Sequence, residues 1–268
     1  MPGDAGAEQE LLVTREGRRL SLVLNRPRAR NAVSPGMLAS LVAAVEDARG
    51  TRTDVVTITG AGGFFCAGAD IGSYANPRAQ GRAAELESFT RAARGLCHAI
   101  ETLDAVTIAA VDGPCLGGGL EIALACDLVI AAETARFGLP ETRLGLIPGW
   151  GGTQRLTAAI GAPRTRRLVL TAEVVTAATA AEWGLVSAAV APEALTAVLD
   201  ELADGLLASA PLALASAKRA IRDDDMTPWP TPGAELETRE LLALFATDDG
   251  AEGIAAFIEK RAPRFSGS

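Results

Sequence analysis

Histidine occurs once in these 268 residues, as His98. A centre built on several histidines is thereby excluded, and a histidine-dependent triad has a single candidate. Cysteine is nearly as sparse: Cys66, Cys97, Cys115 and Cys126 stand 31, 18 and 11 positions apart, with no CxxC pair and no zinc-ribbon spacing. Such thiols read as structural residues of a reducing compartment. Positive charge is in deficit, 25 Lys and Arg against 33 Asp and Glu, and a net charge of −8 disfavours a protein that neutralises many nucleic-acid phosphates. Any anionic ligand must be gripped locally. No uncharged apolar run reaches roughly 18 residues, the length of a membrane span. The N-terminal MPGDAGAEQELLV also lacks a basic segment leading into an apolar one, so the expected location is cytoplasmic, without a membrane partner. Carboxylates are left as the natural acid–base groups.

What is present is a globular composition. Hydrophobic residues at 49% and charged residues at 22% make disorder or a fibrous fold implausible. The length suits one large domain or two small ones. Runs rich in β-branched residues predict strands at Leu11 to Thr14, Leu20 to Leu24, Val55 to Thr59, Val106 to Val111 and Leu128 to Ile130, with helical patterns between them. This is an α/β pattern. Ser34-Pro35 predicts a capped helix start, followed by Met37, Leu38, Leu41, Val42 and Val45 at helical spacing and closed by Gly50. Residues 72–85 mix Gly, Pro, Asn and Arg and predict a mobile loop able to line a site. From about Pro163 strand signals fade and short helical segments dominate, with no low-complexity linker before them and no internal repeat.

Three segments carry chemistry. The first, Ile58 to Asp70 (ITGAGGFFCAGAD), is a strand running into a small-residue turn whose successive amides can converge on an anion, or which is only a turn. In the second, Val106 to Asp127, a buried-type strand meets Gly117-Gly118-Gly119 and a helix starting near Leu120, whose N-terminal amides favour a developing oxyanion. Contiguous glycines fit neither the dinucleotide fingerprint nor a P-loop. Glu121 then sits in the first turn of an apolar helix. It reads either as a complement to the helix dipole or as a desolvated carboxylate with the raised pKa that acid–base work near neutrality needs. The third segment, Arg136 to Arg155, is too rich in Gly and Pro for a repeating element and holds Glu141 after Pro140, either a solvated helix-start residue or a site carboxylate.

Together these segments resemble the enoyl-CoA hydratase/isomerase (crotonase) superfamily, and the resemblance runs nearly end to end. It takes in Leu24-Asn25-Arg26-Pro27 with Asn31-Ala32, Phe65 to Asp70, Ile108 to Leu128, Pro140-Glu141, Gly145, Pro148 and Gly151 to Arg155. Ala181 to Val186 and Glu252-Gly253 through Phe257, Glu259 and Lys260 complete it. The resemblance implies a crotonase fold, a repeated ββα spiral core over residues 1–195 followed by a helical C-terminal region, 196–268, used for trimerisation into trimers or dimers of trimers. It implies a hydro-lyase of fatty-acid β-oxidation chemistry that adds water to a 2-trans-enoyl-CoA. The backbone N–H groups of Ala69 and Gly118 would form an oxyanion hole, with Glu121 as base and Glu141 as acid. Coenzyme A would be part of the substrate, with no separate cofactor or metal. Ala67, Asp70, Ile71 and Gly117 would line the substrate site, Arg28 and Arg30 would meet the CoA phosphates or remain solvated surface residues, and Phe257 and Lys260 would reach CoA across a subunit interface.

Two positions depart from the family pattern. Leu139 stands where a glutamine commonly precedes Pro-Glu, and Trp150 stands where a small residue is common, so both bear on acyl specificity. Other readings are Δ3,Δ2-enoyl-CoA isomerisation, in which Glu141 alone shuttles a proton, and a non-catalytic acyl-CoA- or RNA-binding scaffold, against which the retention of both glutamates argues.

Overall fold

The computed structural model describes residues 9–74, 83–222 and 232–266. The chain opens with the strands β1 (Leu11–Glu16) and β2 (Arg19–Leu24), helix α1 (Pro35–Gly50), strand β3 (Val55–Gly60) and helix α2 (Ala83–Glu101). β4 (Val106–Val111), β5 (Pro114–Leu116), α3 (Gly118–Ala125), β6 (Leu128–Ala132) and β7 (Arg136–Gly138) follow. The remainder is α4 (Gly152–Thr171), β8 (Val174–Thr176), α5 (Ala177–Trp183), β9 (Ala188–Val190), α6 (Leu195–Leu207), α7 (Pro211–Arg222), α8 (Pro232–Phe245) and α9 (Asp248–Glu259).

One sheet runs β1-β2-β3-β4-β6-β9, antiparallel at β1–β2 and parallel thereafter; a smaller one runs β5-β7-β8. All of β4 is buried, as a central parallel strand covered on both faces must be. Alternation along the strands sends Val55, Ile108, Ala110 and Ile130 against Leu195, Leu199 and Ala203 of α6. Val56, Ile58, Ala109 and Val111 join the main core with α1, α2 and α3. Among the described residues no helix is long and apolar enough to cross a membrane.

The five expected strands and α1 are present. Ser34 Oγ accepts the Met37 N–H at 2.9 Å, Pro35 takes the first helical position, and Met37, Leu38, Leu41, Ala44, Val45 and Ala48 form the buried stripe. Four other features differ from the sequence expectation. β5, β7, β8 and β9 are three residues each, too short to display a period of two, and β8 and β9 lie where strand signals had faded. Helix α3 begins at Gly118 rather than near Leu120, tight packing overriding the poor helix propensity of glycine. Gly161, at φ 79° and ψ 156°, breaks α4 before Pro163 starts its second half. Of the expected loop at 72–85, residues 71–74 form a 3-10 turn and 83–85 open α2, while 75–82 lie outside the described residues. All four cysteines are buried free thiols.

The C-terminal helices pack back onto earlier elements of the chain. α8 packs on α2 and α4, and α9 on the short turn Glu141–Leu144. Because the Ser34 hydroxyl satisfies an otherwise orphaned helix N–H, Ser34→Ala is expected to lower stability by about 1 kcal/mol. The urea midpoint measures it, and an unchanged midpoint contradicts the cap.

Candidate active site

Two backbone turns meet first. After β3 the chain turns under Asn31, which is fully buried: its Oδ1 accepts the Arg26 N–H at 2.8 Å, and its Nδ2 donates to the carbonyls of Ala61 at 2.9 Å and Phe64 at 2.7 Å. Val33 then bridges to Ala69, its N–H donating to Gly68 O at 2.8 Å and its carbonyl accepting the Asp70 N–H at 3.0 Å. In that parallel pairing Ala69's own N–H and C=O point to the other side. Leu116 N–H donates to Cys66 O at 2.9 Å, which draws β5 and the start of α3 alongside. Gly68 is required here: φ is +103°, and a Cβ would lie 3.2 Å from Gly118 N. Gly118 N–H, at the first position of α3, has no intrahelical acceptor. The two turns that carry the Ala69 and Gly118 amides thus abut.

The carboxylates come from three elements. Glu121, in the first turn of α3, is 2% exposed, and its Oε1 accepts the N–H groups of Trp150 and Gly152, each at 2.7 Å. Burial pushes its pKa well above the carboxylate range, the nearby Glu237 and Glu141 carboxylates push the same way, and the two amides pull back. Glu141 starts the turn after Pro140, with its Oε2 buried and without a hydrogen-bond partner. Burial is the main cause that lifts it to about 8, with Glu237 adding to it. The third carboxylate, Glu237 of α8, was not singled out in the sequence. It is 3% exposed, accepts the Gly151 N–H at 2.6 Å and the Thr153 N–H at 2.8 Å, and also takes the Thr153 hydroxyl. Its one sequence signal is spacing, since it falls with Ala234, Thr238 and Leu241 on the buried stripe of its helix.

A cavity of about 110 Å³ opens onto these groups. It is lined by Ala67, Ala69, Ile71, Gly117, Gly118, Glu121 and Glu141, so seven of the residues singled out in the sequence come together. Its remaining wall is mainly apolar, with Leu86 and Phe89 from α2, Leu241 and Phe245 from α8 and Ile254 from α9. Trp150 points inward. Its ring lies over Gly118, where a Cβ would sit 2.2 Å from Trp150 Cζ3, and meets Phe89 edge-on with centroids 5.8 Å apart. Leu139, by contrast, is buried in the main core and does not line the cavity.

Other candidates stand apart from the cavity. Asp70 is held by Arg26 Nη2 at 2.9 Å, and Arg26 also pairs with Glu10 at 2.8 Å and donates to Ala32 O at 2.6 Å. Arg28 and Arg30 are exposed, as are Phe257 and Lys260 at the end of α9. His98 lies on α2 outside the cavity lining. Among the described residues no group of three or more His, Cys, Asp or Glu side chains is arranged to hold a metal ion.

Comparison with known proteins agrees with this fold. A family model for enoyl-CoA hydratase/isomerase matches residues 19–268. The chain is 41% identical over 259 residues to a 2,3-dehydroadipyl-CoA hydratase of Escherichia coli, covering 96% of this chain and 99% of that one. The crystal structure of an enoyl-CoA hydratase from Mycobacterium avium subsp. paratuberculosis superposes with a TM-score of 0.86 at 32% identity, covering 96% and 98% of the two chains. That of a carnitinyl-CoA hydratase from Mycobacterium avium gives 0.84 at 36% identity, covering 98% and 100%.

The raised Glu141 pKa has a consequence for stability. Between the ordinary value of 4.5 and the folded value of about 8, the unfolded chain has released a proton that the folded chain keeps. The contribution of this group is therefore full below that window and is lost as pH rises through it. Glu141→Gln keeps the shape without the charge, so it should melt above the wild type at about pH 8.5, with the gap closing toward about pH 5. A gap independent of pH, measured by thermal melts across that range, contradicts the assignment.

Proposed function

The chain belongs to the enoyl-CoA hydratase/isomerase family and is a crotonase-type hydratase, a hydro-lyase; from that premise we propose that it adds water to a 2-trans-enoyl-CoA through Glu121 and Glu141. The observation that carries this reading is that both carboxylates line the same cavity as the Ala69 and Gly118 turns. The thioester carbonyl oxygen accepts the two N–H groups, which strengthen as the carbonyl gains enolate charge; donors of this kind are each worth about 10²–10³ in rate.

The two glutamates differ in a way that assigns their roles. Glu121 Oε1 takes two amide donors, which favour its charged form against the burial that raises its pKa. Glu141 has a buried oxygen with no donor and keeps its proton at neutral pH. Water lies between them; Glu121 takes one of its protons as the oxygen bonds to Cβ, and Glu141 delivers its proton to Cα. The carbon–carbon double bond is consumed, the enolate charge returns from the oxyanion hole, and a 3-hydroxyacyl-CoA leaves. A proton passing from Glu121 to Glu141 resets the pair.

Coenzyme A enters as part of the substrate. Arg28 and Arg30, both exposed, would meet its phosphates, and the exposed Phe257 and Lys260 would meet CoA across a subunit interface. A homotrimer or dimer of trimers is the working assembly; the exposed Leu212 and Ile221 of α7 are apolar surface such an assembly would cover.

Glu121→Gln and Glu141→Gln should each lose hydration by about 10²–10⁴-fold while still binding acyl-CoA. Loss of the enoyl-thioester absorbance with crotonyl-CoA measures this, and full activity in either variant refutes the pair. Trp150 bounds the acyl part of the cavity. Its replacement by alanine should shift relative kcat/KM across C4 to C16 enoyl-CoAs toward longer chains by about tenfold or more. A profile that peaks at crotonyl-CoA and is indifferent to Trp150→Ala would exclude this role.

A further inference from the structure

The segment Trp150–Thr153 runs between two carboxylates, and its four consecutive amides are divided alternately between them. Trp150 and Gly152 donate to Glu121 Oε1, each at 2.7 Å. Gly151 donates to Glu237 Oε1 at 2.6 Å and Thr153 to Glu237 Oε2 at 2.8 Å, with the Thr153 hydroxyl on the same oxygen. These amides are the start of α4, which has no side-chain cap of its own. Rotation of this turn would move the donors of Glu121 and Glu237 together. It would also move the Trp150 ring that lies on Gly118.

We propose that Glu237 is a positioning residue for the two-carboxylate site, fixing the Trp150–Thr153 turn that orients Glu121 and setting a third negative charge beside the reacting pair. The inference rests on the assignment of Glu121 and Glu141 as base and acid. A dedicated cap could have been any short polar side chain preceding α4. A carboxylate delivered from α8 instead joins the turn to the cavity wall formed by Leu241 and Phe245 of the same helix.

The charges around Glu237 come from every neighbouring element. Glu237 pushes up the pKa of Glu121 of α3 and of Glu141 of the following turn; burial raises its own, while the Thr153 and Gly151 donors and Arg155 of α4 favour its charged form. Arg155 Nη1 donates to Trp150 O at 2.9 Å and Nη2 to Glu101 of α2 at 2.9 Å. The Cys97 thiol of α2 is held far above its ordinary value by burial, so it is neutral there. Arg94 of α2 donates to Ala234 O, Thr238 and Glu235 on α8, holding that helix in place. Arg155 is thus set against several carboxylates, and removing the charge of Glu237 makes each remaining carboxyl a stronger acid.

Glu237→Gln and Glu237→Asp, assayed from about pH 5.5 to about 10 alongside thermal melts, test the proposal. Gln keeps the length and one acceptor but not the charge; Asp keeps the charge but not the reach. In Glu237→Gln we expect kcat to fall about 10- to 100-fold with KM changed less than about threefold. Both limbs of its pH profile should move toward acid by roughly one unit. Glu237→Asp should lose kcat with the profile in place. A folded Glu237→Gln with the wild-type kcat and pH profile overturns the proposal, as does a loss of kcat in it without any movement of the profile. If Glu237→Gln does not fold, Thr153→Val removes one of the donors to Glu237. A fall in its kcat at constant KM supports the proposal and a wild-type kcat overturns it. Failure of the underlying reading is separately visible, because Glu121→Gln or Glu141→Gln would then retain hydration. With both of those inactive, a wild-type Glu237→Gln refutes only the role of Glu237.

Discussion

A carboxylate taken out of water must find donors or give up its charge, and Glu121, Glu141 and Glu237 are gathered in one interior region. The start of α4 makes that possible. A helix leaves its first N–H groups unpaired and partly positive, and here those groups are satisfied by two glutamates remote in sequence rather than by a neighbouring cap. The benefit is mutual: the carboxylates are solvated by backbone, and the backbone is capped by carboxylates. Arg155, one turn into the same helix, closes back onto the Trp150 carbonyl and onto Glu101 and does not line the cavity.

Glu141 stands outside this arrangement, and its difference from Glu121 is what the proposed chemistry uses. Two carboxylates of one composition become a charge holder and a proton holder only when their surroundings differ. The start of α4 supplies Glu121 with the Trp150 and Gly152 amides, whereas the short turn after Pro140 leaves a buried oxygen of Glu141 bare. The backbone donors need no such tuning. Ala69 and Gly118 are fixed because the Val33 bridge, the Asn31 clamp and the contact of Gly68 with Gly118 leave those turns no second arrangement. In the proposed reaction, donors oriented in advance of the substrate are those that favour a transition state over a ground state.

Much of this was legible in the sequence because the signals are local. The strands β1 to β4 and β6 carry runs rich in apolar and β-branched residues, Ser34-Pro35 is a cap within one turn of the residues it serves, and the glycine-rich turns and Glu121 lie in motifs only a few residues long. The misses share a physical cause, which is dependence on distant contacts. Trp150 faces the cavity because Gly118 and Phe89 leave room for it there, and nothing beside Trp150 in the chain says so. Leu139, equally unusual for its motif, turns into the core instead. Glu237 sits among Glu235, Leu236 and Glu240 in what reads as an ordinary amphipathic helix, and only its place on the buried stripe sets it apart from its solvated neighbours.

The C-terminal helices are therefore more than an addition to a finished core. Gly151 and Thr153 lie 86 and 84 positions before the carboxylate that satisfies them, and Leu241, Phe245 and Ile254 complete the cavity wall from the same end of the chain. Until that long loop is closed, two amides of the α4 start have no protein partner, and Glu121 and Glu141 lack both the neighbouring Glu237 carboxylate and their apolar cover. Loop closure over such a separation is only modestly dearer in entropy than over a short one, since the cost grows with the logarithm of length. A site assembled from both ends of the chain consequently asks little more of folding than a local one would. In return it makes the geometry around Glu121 conditional on the whole fold, so that a partly folded chain presents neither the buried carboxylates nor the aligned turn to an acyl thioester.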